Sequence, residues 1–291
     1  MFNELYGEPV KQAITEKLIE SVNAFKAGGV NPKLVVIRAG ENPGQLYYEE
    51  AIIRASQNYG IETQVISFNS SVSQAYLEAA LSAVNVDEEV HGIILLRPFP
   101  EHIDEEALRH MLSPEKDVDA ITDISIAQAV VSNKDTFYSC TAEACIELMK
   151  YYGIEIEGKK VTVVGRSLTV GKPLSIMLMN MNATVTICHS KTPEEDQIAA
   201  CRNADIVILA TGKTQHFGPE FFHDGQIVLD VGAGAGKDGK MQGDLNVEKI
   251  KESGSINDLT YTPVPGGIGS VTTSMLLRNI IKAAAKKITI I

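Results

Sequence analysis

The sequence predicts an α/β protein of two domains, each a largely parallel sheet covered by helices. Short apolar runs that read as buried strands alternate with segments of helical periodicity, the pattern of parallel sheets with helical crossovers. The alternation comes in two series, separated by a polar stretch at Asn133 to Ser139. A chain of 291 residues is long enough for two domains of ordinary size.

The first series opens with Val10, Ile14, Leu18, Val22 and Phe25, whose spacing predicts an amphipathic helix. Lys33 to Arg38 (KLVVIR) reads as a buried strand, Tyr47 to Tyr59 as a helix and Thr63 to Phe68 as a strand. Tyr76 to Val84 reads as a helix, and Gly92 to Leu96 (GIILL) as another buried strand. The second series has helices at Ala142 to Tyr152 and Gly171 to Met181. Its strands are Lys160 to Gly165, Ala183 to Cys188, Asp205 to Ala210 and Gln226 to Val231. A last long helix runs from about Val271 to Lys286. The sequence has no internal repeat or low-complexity tract.

Composition excludes several classes. A net charge of −11, from 37 acidic and 26 basic side chains, argues against a nucleic-acid binder, which needs a basic face. No apolar run approaches the roughly 20 residues of a bilayer span, and the N-terminus lacks the apolar core of a signal peptide. The expectation is a soluble cytoplasmic protein. Cys140, Cys145, Cys188 and Cys201 match no zinc spacing and no CxxC pair, so they read as ordinary reduced thiols. No metal-ligand cluster is visible. His91, His102 and His110 read as surface or packing residues.

The chemistry-bearing motif of the second series is Gly165-Arg166-Ser167-Leu168-Thr169-Val170-Gly171, between a strand and a helix. This is the context of a Rossmann-type dinucleotide site. Gly165 allows a tight turn, and Gly171 lets the helix start close to the strand. The helix N-terminus is then expected to offer unpaired N–H groups to a pyrophosphate. Ser167 replaces the middle glycine and the loop is one residue longer than GxGxxG, so a crossover without ligand is an alternative. NAD sites commonly carry an acid after the next strand. Here His189-Ser190-Lys191-Thr192 follows, which with Arg166 suits a 2′-phosphate and favours NADP over NAD.

On these residues the chain resembles the methylenetetrahydrofolate dehydrogenase/cyclohydrolase family, nearly end to end. The cofactor turn, Val170-Gly171-Lys172-Pro173, the Ala183–Thr186 strand with Cys188-His189-Ser190, Asp230-Val231-Gly232, Gly243-Asp244, Thr262-Pro263-Val264-Pro265-Gly266-Gly267 and Asp117-Val118-Asp119 all fit its signatures. The resemblance implies a folate-binding catalytic domain over 1–137, with a C-terminal helix, 272–291, packing back on it. It also implies a cofactor domain over 138–271, an active site in the cleft between the domains, and a homodimer formed through the cofactor domains. Gly165, Arg166, Ser167, Val170, Gly171, His189, Ser190, Thr211, Gly212, Val231, Gly232 and Thr272 are its cofactor positions. Thr272 is expected to cap the last helix. Tyr48, Leu96, Pro98, Asp119, Pro265, Gly266 and Gly267 are its substrate positions, with Tyr48 and Asp119 as the catalytic pair. Asp119 would accept pterin N–H groups, and Tyr48 would pack on the folate near the reacting carbon.

Two departures concern catalysis. Family members carry a Lys four residues after the Tyr and a Gln at the end of the GIILL strand. Here those positions hold Ile52 and Leu96. The Lys and Gln together activate the water that opens the methenyl cation, so their joint replacement implies that hydride transfer remains and hydrolysis is lost. A separate cyclohydrolase would then act in the pathway. Arg97 as a substitute, Arg54 from the far side of the helix, a shikimate dehydrogenase-like enzyme and a non-catalytic folate or nucleotide binder are the alternatives. Ala142, Ala144 and Ser270 also depart, where Pro, Gly and Pro are usual.

Overall fold

The computed structural model describes residues 1–133, 135–236 and 239–288. In chain order the elements begin β1 (Phe2–Glu4), α1 (Gly7–Ala27), β2 (Lys33–Ala39), α2 (Pro43–Tyr59), β3 (Glu62–Phe68), α3 (Gln74–Val86) and β4 (Gly92–Leu95). Next come α4 (Glu105–Met111), α5 (Asp123–Val130), α6 (Cys140–Tyr151), β5 (Lys160–Val164), α7 (Gly171–Asn180), β6 (Thr184–Cys188), α8 (Glu194–Arg202) and β7 (Ile206–Leu209). A 3-10 turn over Pro219–Phe221 leads to β8 (Gln226–Asp230), β9 (Gly234–Ala235), β10 (Met241–Gln242), α9 (Val247–Ser253), β11 (Leu259–Tyr261) and α10 (Gly269–Ile288). The chain divides into two compact units. One comprises Ala13–Tyr138 and the segment from Thr273, the other Met1–Gln12 and Ser139–Thr272.

The first unit is built on a three-stranded parallel sheet, β3-β2-β4. Leu34 to Ile37 of the central strand are at most 1% exposed, which explains an unbroken apolar run rather than an alternating one. Val35, Ile37, Ile93 and Leu95 from the sheet pack with Leu77 and Leu81 of α3 and Leu108 of α4. Helix α2 starts four residues before the expected Tyr47. The Asn42 side chain accepts the N–H groups of Gly44 and Gln45, and Pro43 occupies the first turn, a strong start signal. In α10, Asn279 Nδ2 donates to the Val118 carbonyl at 2.9 Å and to that of Tyr138 at 3.2 Å. Residues 289–291 of the expected 272–291 helix, and Lys134 in the expected boundary, lie outside the described residues.

The second unit carries a six-stranded parallel sheet in the order β1-β11-β8-β7-β5-β6. Its core joins Val164, Val207, Leu209 and Val228 to Phe217, Phe221 and Phe222. The first residues of the expected 1–137 segment make their contacts in the second unit. Phe2, Asn3 and Glu4 pair in parallel with Leu259, Thr260 and Tyr261, so Met1–Gln12 group with the second unit. Two three-residue strands at a sheet edge are too short to show a periodicity, and neither is visible in the sequence.

Candidate active site

Within each unit, expected site residues lie near the carboxyl ends of the strands. In the first unit β2 is followed by β3 on one side and β4 on the other. Order reverses at β2, and open α/β sheets bind ligands at such a reversal. Helix α2 leaves β2 there and buries Gln45, Glu49, Ile52, Ser56 and Tyr59, a stripe at 3.6-residue spacing. Tyr48 borders this stripe and is half-buried. Ile52 is completely buried and Leu96 is 4% exposed, so neither position offers a charge or a polar atom. Arg54 is exposed and Arg97 half-buried.

The polar groups of this region sit elsewhere, where sequence reasoning did not look. Arg38 Nε contacts Glu49 Oε2 at 2.8 Å with both side chains nearly buried, tying β2 to α2 beside Tyr48. Gln45, one turn before Tyr48, donates from Nε2 to the Leu96 carbonyl at 3.2 Å and the Pro98 carbonyl at 2.5 Å. The turn after β4 is thereby fastened to the helix. Pro98 itself is exposed.

The two acids of Asp117-Val118-Asp119 have separate environments. Asp117 is fully buried and accepts the N–H groups of Ile121 at 3.0 Å and Thr122 at 2.8 Å and the Ser125 hydroxyl at 2.7 Å. It holds the loop. Asp119 is half-buried, and Ala120 after it adopts φ 54°, a left-handed conformation that non-glycine residues rarely take.

In the second unit β5 has β6 on one side and β7 on the other, so the reversal falls at β5. A cavity of about 400 Å³ opens there, lined by Gly165, Arg166, Ser167, His189, Ser190 and Thr211 among the expected positions. It is also lined by Thr192, Glu194, Lys213 and His216. Val170, Gly171, Gly212, Val231, Gly232 and Thr272 do not line it. A Cβ on Gly171 would lie 2.2 Å from the Gly165 carbonyl oxygen, and one on Gly165, at φ 134°, 2.4 Å from that of Ala210. Both glycines are therefore required by backbone contact. The expectation of free N–H groups at the start of α7 is corrected. Ser167 Oγ accepts the N–H of Val170 at 3.1 Å and of Gly171 at 3.5 Å, and the Ser167 carbonyl accepts that of Lys172 at 3.1 Å. The longer loop folds its own serine onto those donors.

His189 Nδ1 accepts the Lys191 N–H at 3.2 Å, which leaves Nε2 to carry the ring hydrogen. The loops after β7 and β8 are shaped by a buried acid pair. Asp244 Oδ2 accepts the N–H groups of Thr211 at 2.7 Å and Gly212 at 3.2 Å, and the Thr211 hydroxyl. Asp230 accepts those of Gly232, Asp244 and Leu245. Burial pushes the Asp230 carboxyl up to about 7, and the charge of Asp244 adds to the rise. In the TPVPGG loop the Gly266 carbonyl accepts the Gly7 N–H at 2.8 Å, Gly267 is buried and Pro265 exposed. Thr272 does not cap α10. That helix begins at Gly269, and the Thr272 hydroxyl turns back to the Ile268 carbonyl at 3.4 Å.

Among the described residues no group of three or more His, Cys, Asp or Glu could hold a metal, and no helix is long and apolar enough to cross a membrane. The cysteines are all buried, and burial pushes the thiols of Cys145 and Cys201 up to about 12.

Both units match known proteins. Residues 5–119 match the tetrahydrofolate dehydrogenase/cyclohydrolase catalytic domain, and residues 139–288 its NAD(P)-binding domain. The chain is 41% identical over 281 residues to the bifunctional protein FolD of Clostridium kluyveri, covering 97% of each chain. Its fold is similar to the bifunctional FolD methylenetetrahydrofolate dehydrogenase/cyclohydrolase of Campylobacter jejuni, with a TM-score of 0.93, 33% identity and coverage of 99% of this chain and 100% of that one. The methylenetetrahydrofolate dehydrogenase-cyclohydrolase of Trypanosoma brucei, complexed with NADP and an inhibitor, has a TM-score of 0.90, 32% identity and 98% coverage of each chain. Matched in both units over nearly its whole length, the chain belongs to the tetrahydrofolate dehydrogenase/cyclohydrolase family.

Proposed function

We propose that this protein oxidises 5,10-methylenetetrahydrofolate to 5,10-methenyltetrahydrofolate with NADP and does not usefully hydrolyse the product. The observation that carries the second half is the complete burial of Ile52 together with Leu96 at 4% exposure. Neither side chain can donate to, accept from or orient a water. Arg97 has no hydrogen bond or ion pair among the described residues, and a guanidinium offers donors but no acceptor, so it is a poor base for water.

Hydride transfer needs orientation from the protein more than acid–base chemistry. Tyr48 would pack against the folate, and Asp119 would accept the pterin N–H groups, since Asp117 already holds the loop. Pro265, Gly266 and Gly267 would bring backbone close to the substrate. The cavity at β5 suits a dinucleotide phosphate through Arg166, Lys213 and the His189 Nε2–H. NADP held there by Arg166, Lys213 and His189 would supply the hydride acceptor for the methylene carbon. Glu194 lines the same cavity and favours NAD instead, because a carboxylate accepts ribose hydroxyls and repels a 2′-phosphate. Steady-state kinetics with both cofactors decide, and a higher kcat/KM for NAD would reject the NADP preference. The reading carries with it a homodimer and a separate cyclohydrolase downstream. NADPH formation from methylenetetrahydrofolate, with no enzyme-dependent loss of methenyltetrahydrofolate, is the result that supports the whole proposal.

A further inference from the structure

The side chain of Gln45 carries an acceptor that nothing in the folded protein satisfies. Gln45 is 5% exposed, and its Oε1 is buried without a hydrogen-bond partner among the described residues. The orientation of the amide is not ambiguous. Its other end lies against two carbonyl oxygens, Leu96 O at 3.2 Å and Pro98 O at 2.5 Å, so that end must be the Nε2 donor. Exchanging the two ends would set an oxygen against both carbonyls. Oε1 is thereby fixed on the side away from the turn. A buried acceptor left unmade is expensive, and native structures rarely keep one without a ligand or water to complete it.

Its place in the fold says what completes it. Gln45 stands one turn before Tyr48 and two turns before Ile52 on α2, against the turn that ends β4, at the strand-order reversal of the small sheet. We infer that Gln45 is a substrate-binding residue, whose Oε1 accepts a hydrogen bond from an N–H donor of the reduced pterin while its Nε2 holds the Leu96–Pro98 turn in place. This rests on the folate reading above and adds a contact to it. The reduced pterin offers several N–H donors, and a neutral amide oxygen accepts one without requiring a charge in a region walled by Ile52 and Leu96.

Two variants separate the roles of the amide. Gln45→Met removes both donor and acceptor at similar length. Gln45→Lys keeps N–H donors for the two carbonyls and removes the acceptor. Titration calorimetry with tetrahydrofolate, which has no reacting carbon, reads binding apart from catalysis, and NADP titration checks that each variant is folded. Both variants are expected to bind tetrahydrofolate roughly five- to tenfold more weakly, the effect of one hydrogen bond, with NADP affinity unchanged. Wild-type affinity for tetrahydrofolate in the Lys variant would overturn the inference and leave Gln45 as a fastener of the turn alone. No binding of tetrahydrofolate by the wild-type protein would instead refute the folate reading itself.

Discussion

Lysine at position 52 tests whether the apolar wall of the first unit is a built feature. Ile52 is completely buried on α2. Its side chain contributes about 1.5–3 kcal/mol by burial, and an unpaired ammonium in its place adds a desolvation penalty of several kcal/mol. Some of that is relieved by deprotonation, because burial lowers a lysine pKa. The expected net loss for Ile52→Lys is about 3–5 kcal/mol, or a fall in melting temperature on the order of 10 °C for a unit of this size. Hydrolysis should not return, because Leu96 leaves the new amine without an amide partner. Adding Leu96→Gln should recover part of the stability and is the variant that can regain hydrolysis. Thermal unfolding and the loss of methenyltetrahydrofolate absorbance read the two effects. An Ile52→Lys protein as stable as wild type and active in hydrolysis would refute the reasoning, since position 52 would then tolerate a charge without help.

Other expectations are independent of that one. Asp119→Ala should raise the KM for the folate several-fold and leave cofactor affinity unchanged, whereas equal damage to both would assign Asp119 to the loop. Arg166→Ala should weaken NADP roughly tenfold and NAD little, measured by titration with each cofactor. The raised pKa of Asp230, about 7 against 3.8 for the free side chain, means that the folded state binds its proton more tightly than the unfolded state. The stability it contributes is fully present below pH 3.8 and is lost as pH rises through 7, by at most about 4 kcal/mol. Asp230→Asn should flatten that part of the pH–stability curve relative to wild type in denaturant titrations at several pH values, and parallel curves for the two proteins would reject it.

Strands β2 to β8 and helices α1, α2, α3, α6, α7 and α10 were legible because their signals are local and strong. Leu34 to Ile37 and Val161 to Val164 are buried strands and read as such from their apolar runs. Gly165 and Gly171 were legible because close backbone contact leaves glycine as the only fit. What stayed hidden depends on partners distant in the chain. Phe2–Glu4 becomes a strand only because Leu259–Tyr261 lies beside it. The roles of Asp117 and Asp119 look equivalent in DVD and diverge only once Thr122 and Ser125 fold onto the first. Gln45 and Glu49 look like ordinary polar helix residues until the Leu96–Pro98 turn and Arg38 meet them. A signal for Gln45 did exist, since it shares the face of Ile52 two turns away. Glu194 escaped because it lies beyond the His189–Thr192 turn, past the position where an acid is usually sought.

The loss of hydrolysis is the claim on which the account turns, and one measurement reaches it directly. Purified protein is mixed with methenyltetrahydrofolate without cofactor, and the decay of near-ultraviolet absorbance is followed against buffer alone. Removal of a positioned acid–base group typically costs roughly 10²–10⁴ in rate, so the decay with protein should match the spontaneous decay, while the same preparation reduces NADP with methylenetetrahydrofolate. A protein-dependent decay well above the buffer rate, proportional to enzyme concentration, would contradict the account and place a water-activating group in a site where Ile52 and Leu96 offer none.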